Sequence, residues 1–274
     1  MMNPKSPTMR LSSGVTLLEL LVVMMILSLI LTAAVKTWDV TLERGRFETT
    51  KKKLDQLATA IVGDPNAVVA GQRVDFGYVG DVGLLPSKLG DLVKDPLGLP
   101  DSINPWRGPY MRATFSESPE GYRVDGWGDT IVYSRDSLFV RSYGGYGPLE
   151  RSRHITREFG YTYDALMKNT VDGQVLDVRG VPPPDTLMNG VDIRVEMYGP
   201  RNGILTWVPA VYGTNGQFRF YPVPQGNRHL LRAVYIHDIP PPVDSVVSQR
   251  YVTVYPKVGA RGLQVRLDVD WSQE

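Results

Sequence analysis

The sequence contains no cysteine, only three histidines, and a formal net charge of +1. The missing cysteines exclude disulfides, thiolate metal sites and a cysteine nucleophile, and they leave the cellular compartment open. The small net charge removes any bulk electrostatic argument for binding nucleic acid. No Gly-x-Ser-x-Gly, His-Glu-x-x-His or phosphate-loop pattern occurs, and nothing in the sequence pairs its carboxylates for acid–base work. We therefore predict no catalytic residue, no metal, no cofactor and no nucleic-acid partner.

What the chain does have is an apolar run near its N-terminus. The run extends over 21 residues, Val15 to Val35, follows a short polar leader with Lys5 and Arg10, and carries one charge, Glu19. As a helix it would span roughly 31 Å, about the hydrocarbon thickness of a bilayer. A carboxylate inside such a segment costs roughly 2.5 to 3.5 kcal/mol on insertion scales, so Glu19 is a candidate functional residue. The simpler alternative is that Glu19 lies close enough to the interface to stay hydrated.

Three interpretations of this N-terminus are compatible with the residues alone. A secretory signal peptide would be cut near Thr32-Ala33-Ala34, but its apolar core is longer than usual and no good small-x-small site is present. A plain signal anchor would keep the whole segment, with an orientation that the flanking basic residues do not fix. In the third interpretation, cleavage after Gly14 precedes the apolar run, which is retained.

Residues 13–23, Ser-Gly-Val-Thr-Leu-Leu-Glu-Leu-Leu-Val-Val, resemble the prepilin peptidase site and helix start of type IV pilins and type II secretion pseudopilins. The basic leader, the glycine before the cut and the following glutamate match, while Val15 stands where the family usually has phenylalanine. The resemblance implies that prepilin peptidase cuts after Gly14 and that the new Val15 amine is N-methylated. It also implies that Glu19 pairs with the Val15 amine of a neighbouring subunit. Two buried charges that are costly alone would together fix the register of a helical stack.

The helical pattern continues beyond the apolar run. Proline is absent from Lys36 to Gly63, and Gly63-Asp64-Pro65 is expected to end the helix. Apolar residues recur at helical spacing at Phe47, Leu54, Leu57, Ala58 and Ile61. This predicts one long helix from Val15 to Ile61 whose second half packs on a globular domain. The Lys51-Lys52-Lys53 run could touch lipid headgroups or nucleic acid, but a solvated face is the expected arrangement.

Residues 64 to about 150 alternate short apolar runs with turn residues, which indicates a small β-domain. Asn104–Met111, Asp125–Asp129 and Phe139–Gly144 resemble, in order, the WxGPY, DPWG and SYG segments of the major type II pseudopilin. The resemblance covers residues 14 to about 147. We expect a structural role in the β-domain core, rather than a sugar-binding role, for its aromatic residues Trp106, Tyr110, Trp127 and Tyr133.

One departure from that family concerns calcium. The resemblance implies a loop after the SYG segment that often binds Ca²⁺ through aspartate side chains and backbone carbonyls. Here the loop runs from Ser142 to Arg153 and offers one carboxylate, Glu150, among Arg141, Arg151 and Arg153. Because Ca²⁺ requires oxygen-rich ligands, we predict that calcium is absent or bound differently.

The last part of the chain, about 160–274, has the pattern of an all-β sandwich. Apolar residues alternate with polar ones from Val191 to Met197 and from Leu263 to Trp271, and Asn215-Gly216 marks a hairpin within 211–221. Further strands are expected at 230–236 and 251–255, and Pro182–Pro184 and Pro240–Pro242 in loops. Asp172–Gly180 and Gly216–Gly226 resemble the carboxypeptidase-regulatory or transthyretin-like sandwich. That resemblance implies a binding or spacer module.

The expected fold class is α+β: a long hydrophobic N-terminal helix with a small pilin-type β-domain, followed by a separate all-β sandwich. The expected divisions are a leader over 1–14, the transmembrane and assembly helix over 15–63, the pseudopilin domain over 64–155 and the sandwich over 160–274. The main functional hypothesis is a structural pseudopilin with no enzymatic activity. It would be processed by prepilin peptidase and assembled with itself and other pseudopilins to support secretion across the outer membrane.

The expected location is the inner membrane, crossed once, with periplasmic globular domains and contacts to lipid through Val15–Val35 and to the inner-membrane secretion platform. Two other functions stay open. The sandwich could be displayed from a pilus to bind a glycan or a secreted protein. Alternatively, the chain could be a membrane-anchored enzyme accessory that never polymerises.

Overall fold

The computed structural model describes residues 16–111, 120–237 and 244–271. The chain forms two compact units, Met1–Glu48 and Thr49–Glu274. Pro240–Pro242, predicted as a loop, lies outside the described residues. The fold is α+β with a sheet-rich C-terminal region, which confirms the predicted fold class.

A single helix, α1 (Leu17–Val62), forms the N-terminal part of the described chain. It ends where predicted, because Gly63 adopts φ 81° and its N–H donates to Thr59 O over 2.7 Å. The predicted apolar stripe is buried at its C-terminal end, at Leu54, Leu57, Ala58 and Ile61. Phe47, which the pattern also assigned to this stripe, is 42% exposed. It lies before Thr50, the first buried residue of α1.

The pilin-type part of the second unit packs small elements around the end of α1. They are α2 (Gly77–Val82), the hairpin β1 (Val68–Val69) and β2 (Gln72–Arg73), and an antiparallel sheet of β3 (Val132–Ser134), β4 (Phe139–Ser142) and β5 (Ile155–Glu158). Three 3₁₀ turns complete it: Leu89–Leu92, Gly121–Arg123 and Arg151–Arg153. The buried core joins the α1 stripe to Tyr78, Leu85, Leu92 and Val140.

Two four-stranded sheets form a sandwich in the rest of this unit. One has the order β13-β6-β10-β9 and the other the order β12-β11-β7-β8. The strands are β6 (Asn169–Leu176), β7 (Ile193–Arg201), β8 (Ile204–Pro209), β9 (Val211–Tyr212), β10 (Gln217–Val223), β11 (Gly226–His237), β12 (Asp244–Val254) and β13 (Ala260–Arg266). The β6–β13 pair is parallel and the others are antiparallel. A second apolar core fills the space between the sheets, with Val195, Phe218, Leu231 and Val265 among its residues.

The predicted hairpin is present, since β9 pairs with β10 and both Asn215 and Gly216 have positive φ. Several boundaries differ from the sequence pattern. The strand predicted from Val191 begins at Ile193, and Val191 is 70% exposed. The strand predicted through Trp271 ends at Arg266, although Trp271 remains buried.

The region predicted to be all-β also contains a short helix. This helix, α3 (Tyr163–Met167), precedes β6. Its first turn is fixed because Thr162 Oγ1 accepts a hydrogen bond from Ala165 N–H over 3.2 Å. β11 and β12 are also longer than the runs 230–236 and 251–255 that the pattern assigned to strands.

The sandwich and the pilin-type elements meet through close backbone approaches. A Cβ added to Gly226 would lie 2.7 Å from Gly80 O, and one added to Gly83 would lie 2.7 Å from Pro200 O. Side chains larger than glycine would therefore separate β11 from α2 and β7 from the turn after α2. β8 contacts the pilin-type elements through a backbone hydrogen bond, in which Leu205 N–H donates to Ile103 O over 2.9 Å.

Candidate functional site

The N-terminal turn of α1 contains the candidate assembly residue. Glu19 is exposed and lies in the first turn, where a negative charge is favoured by the helix dipole. Thr16 Oγ1 accepts a hydrogen bond from Glu19 N–H over 3.3 Å, and Thr16 O accepts one from Leu20 N–H over 3.1 Å. Gly14 and Val15, the candidate processing residues, lie outside the described residues.

This local role of Thr16 was not among the predictions made from the sequence. A threonine followed three residues later by glutamate is the signature of a capping box, in which the threonine caps the start of the helix. Thr16-Leu17-Leu18-Glu19 has that spacing, so the signal was present. Glu19 therefore belongs to the helix start as well as being the one charge in the apolar run.

The part of α1 from Leu20 to Val35 is exposed and carries no charged side chain. In the described residues it is the one helix long and apolar enough to cross a membrane, and none of that apolar stretch is buried. Its hydroxyls are bonded inside the helix: Ser28 Oγ donates to Met24 O and Thr32 Oγ1 to Ser28 O, each over 2.8 Å. Because a polar group in hydrocarbon needs an internal partner, these hydroxyls are compatible with lipid.

The C-terminal end of α1 is held by one residue that is close to it in the sequence, Arg73, and one that is distant, Gln225. Val62 O accepts hydrogen bonds from Arg73 Nη2 over 2.7 Å and from Gln225 Nε2 over 3.0 Å. Gln225 is fully buried between β10 and β11, and its Nε2 also donates to Phe76 O over 3.2 Å. The last carbonyls of a helix lack partners within the helix, so these donors satisfy a group that would otherwise be costly to bury.

Lys53 corrects the prediction of a solvated lysine run. Lys51 and Lys52 are exposed, but Lys53 Nζ donates to Gly121 O over 2.8 Å and also to Val124 O. Burial lowers the pKa of Lys53, and nearby Asp125 partly offsets this effect. One turn earlier, Thr50 Oγ1 accepts a hydrogen bond from Gly126 N–H over 2.8 Å. The helix face at Thr50 and Lys53 thus anchors the turn that contains the DPWG-like segment.

Asp125 is the centre of that turn. Its buried carboxylate accepts hydrogen bonds from Trp127 N–H and Asp129 N–H, both over 2.9 Å, and from the hydroxyl of Ser142. Ser142 Oγ in turn accepts a hydrogen bond from Gly144 N–H over 2.9 Å. The contacts run continuously from α1 to the loop after β4.

Three of the four aromatic residues predicted for the core, Trp106, Tyr110 and Tyr133, pack against it, whereas Trp127 is half-buried and does not belong to that cluster. Trp106 Nε1 donates to Asp91 O, Tyr133 OH to Pro86 O and Tyr110 OH to Asp81, each over 3.0 Å. Burial raises the pKa of Asp81, while the Tyr110 hydroxyl and Arg228, 3.7 Å away, act in the opposite direction. Because these polar groups have protein partners, the arrangement supports a structural role.

The loop after β4 does not offer the ligands that calcium needs. Its one carboxylate, Glu150, accepts a hydrogen bond from Ser152 Oγ over 2.7 Å, and the Asp125 carboxylate already accepts the three hydrogen bonds described above. Within the described ranges no group of three histidine or acidic side chains could hold a metal ion. The residues of this loop therefore do not fit a calcium site of the kind that the resemblance implies.

Two histidines lie in unrelated surroundings. His229, in β11, is fully buried, its Nε2 lies 3.0 Å from Pro224 O, and burial lowers its pKa to about 4. His154 lies in the loop after β4, with Nε2 3.4 Å from Gly147 O. The side chain of His237 lies outside the described residues.

Comparison with known proteins decides the family. Residues 9–35 match the model of the prokaryotic N-terminal methylation motif. The chain is 30% identical over 129 residues to the type II secretion system core protein G of Xanthomonas campestris pv. campestris, a match that covers 73% of that protein and 47% of this chain. The chain belongs to the type II secretion pseudopilins.

No solved structure matches the pseudopilin. Its family relationship accounts for the apolar helix and the N-terminal motif together. Together with the exposed apolar helix, it supports membrane anchoring and a place in the pseudopilus. The matched length is under half of the chain, so the relative leaves more than half of this pseudopilin without a counterpart.

Proposed function

We propose that the pseudopilin is cut by prepilin peptidase between Gly14 and Val15, N-methylated on Val15, and assembled through α1 into a pseudopilus that supports secretion across the outer membrane. In the assembly, Glu19 of one subunit pairs with the Val15 amine of its neighbour. The observation that carries the proposal is the methylation motif over residues 9–35, which includes the exposed apolar start of α1 with one acid in its first turn.

The proposed partners follow from the same segment. They are prepilin peptidase, further copies and other pseudopilins, the inner-membrane secretion platform, and lipid along Val15–Val35. Before assembly the subunit crosses the inner membrane once, with its globular part in the periplasm. The internally bonded hydroxyls of Ser28 and Thr32 support the lipid contact, because they add no unsatisfied polar group to the apolar surface.

The N-terminus of the mature protein tests the processing step. Edman or mass-spectrometric sequencing of the protein from membranes is expected to give N-methyl-Val15. An intact leader, or a start near Ala34, would contradict the proposal. Gly14→Val is expected to leave the leader in place, since the peptidase would lose the glycine before the cut.

Glu19→Gln tests the pairing step separately from the helix start. Glutamine retains the shape and the capping ability of glutamate but removes its charge, so α1 is expected to form and insert while assembly is lost. Glu48→Gln, an exposed acid on the same helix outside the apolar run, is the matched control and is expected to assemble normally. Normal secretion and filaments in Glu19→Gln would refute the pairing role.

The buried junction favours an assembly role for the sandwich over independent display. Gln225 binds the last carbonyl of α1, and Arg228 lies 3.7 Å from Asp81 in α2. A module that served only to carry a ligand site would not need to complete the end of the assembly helix. The structural role is therefore the function that the residues support best.

A further inference from the structure

The loop between β4 and β5, residues 143–154, is closed by contacts between its two ends. The ring of Tyr143, at its start, lies 4.9 Å from the ring of His154, at its end. One step further into the loop, the guanidinium of Arg153 lies over the ring of Tyr146, 4.8 Å from the ring centroid. These two pairs join residues that are separated by most of the length of the loop.

Several backbone oxygens of the loop already have hydrogen-bonding partners within the loop. Gly147 O lies 3.4 Å from His154 Nε2, and Tyr143 O accepts a hydrogen bond from Tyr146 N–H over 3.3 Å. Glu150 O accepts a hydrogen bond from Arg153 N–H over 3.0 Å. Ca²⁺ takes six to eight oxygen ligands, so a cation would have to displace several of these contacts at once.

The two ends of the loop are also closely packed at Gly144, which leaves no room there for a bound cation. Gly144 has φ 64°, and a Cβ added there would lie 2.5 Å from Arg153 O. The two sides of the loop are therefore in direct contact at this point. The charge of the loop acts in the same direction, because Arg151 and Arg153 outnumber Glu150 and would repel a divalent cation.

We propose that loop 143–154 is held closed by its own Arg153–Tyr146 and His154–Tyr143 pairs in place of a bound divalent cation, so that this pseudopilin folds independently of calcium. The charge that a metal would supply comes instead from a guanidinium attached to the chain. The loop then keeps one shape whether or not calcium is present around the filament.

Limited trypsin digestion of the full mature chain in detergent tests the proposal, because the loop contains two cleavage sites, Arg151 and Arg153. The rate of cleavage at these sites, read by mass spectrometry, is expected to be the same in calcium and in excess EGTA. Tyr146→Ala removes the face on which Arg153 lies and is expected to increase that rate about two- to fivefold in both media. Leu149→Ala, in the same loop but 95% exposed, is the control and is expected to leave the rate unchanged.

Terbium luminescence provides a second measurement that does not depend on loop opening. Tb³⁺ occupies calcium sites and is sensitised by nearby tyrosines, and Tyr143 and Tyr146 lie in this loop. No saturable emission is expected from the wild type. Saturable emission that Ca²⁺ displaces, or slower cleavage of the wild type in calcium than in EGTA, would overturn the proposal. Unchanged cleavage in Tyr146→Ala would show that the aromatic pair does not close the loop and would overturn it equally.

Discussion

At the scale of single residues, Lys53 is one of three adjacent lysines, but its surroundings differ from those of the other two. Its ammonium donates to Gly121 O and Val124 O, whereas Lys52 is exposed. We expect Lys53→Met to reduce the free energy of unfolding by about 1–3 kcal/mol, because two carbonyls lose a charged donor. Lys52→Met is the matched control and should change it by less than about 0.5 kcal/mol. Urea denaturation of both variants measures the difference, and equal stabilities would contradict the assignment.

His229 gives the residue-scale prediction on pH. Burial lowers the pKa of its imidazole to about 4, from about 6.5 in an unfolded chain. The unfolded chain therefore binds this proton first. The stability that depends on neutral His229 is complete above pH ~6.5 and declines as the pH falls towards 4, by about 3 kcal/mol at most.

The pH dependence of His229→Gln tests this prediction, because glutamine retains a donor for Pro224 O but does not titrate. Urea denaturation between about pH 7 and pH 4 should show a shallower loss of stability in the variant than in the wild type. Identical pH profiles would contradict it. The buried position of the His229 ring also depends on Gly199, since a Cβ on residue 199 would lie 2.6 Å from His229 Nδ1.

At the scale of elements, the end of α1 depends on Gln225, which lies 163 positions away from Val62 in the sequence. Gln225→Leu fills a similar volume but removes the donor to Val62 O and Phe76 O. We expect it to reduce the free energy of unfolding by about 1–3 kcal/mol, because buried carbonyls lose a partner. Gln264→Leu, at an exposed position of β13, should be close to neutral. Thermal or urea unfolding measures both, and a neutral Gln225→Leu would contradict the role of Gln225 at the helix end.

These elements also show what the sequence could and could not predict. The stop of α1 at Gly63 and the hairpin at Asn215-Gly216 were predicted because both depend on residues adjacent in sequence. Gln225 and Lys53 could not be assigned, because their partners come from other parts of the chain and no spacing rule connects them. Val191 was assigned to a strand because alternation alone does not mark where pairing begins, and β7 pairs with β11 from Ile193.

The same distinction between local contacts and contacts across the chain applies to the candidate site. The Glu19 position was predictable from a local motif, and the Thr16 capping contact could have been read from the same residues. The closure of loop 143–154 could not be predicted. The single carboxylate among three arginines indicated that calcium is absent or bound differently, but it did not show which groups would hold the loop instead. Arg153 and His154 meet Tyr146 and Tyr143 only because β4 and β5 pair and bring the loop ends together.

At the scale of the whole molecule, residues 49–274 form one compact unit although they contain two apolar cores. The pilin-type core and the sandwich core are linked by polar contacts that each part needs. Asn227 Nδ2 donates to Val74 O over 3.1 Å, and Gly203 N–H donates to Val82 O in α2 over 3.1 Å. We therefore expect calorimetry of the mature chain to show a single unfolding transition for this unit.

Deletion of residues 160–274 tests this dependence directly. The truncated chain would lose the Gln225 donor at Val62 and would expose the surface of α2 on which Gly226 lies. We expect it to lose its cooperative thermal transition and to be digested rapidly by trypsin, rather than to retain a stable pilin-type body. Tyr251→Ser, at a position on β12 that is 75% exposed, is the control and should melt like the wild type. A truncated chain that melts cooperatively near the wild-type temperature would show that the pilin-type part is stable without the sandwich. The binding-module function would then be as well supported as the structural one.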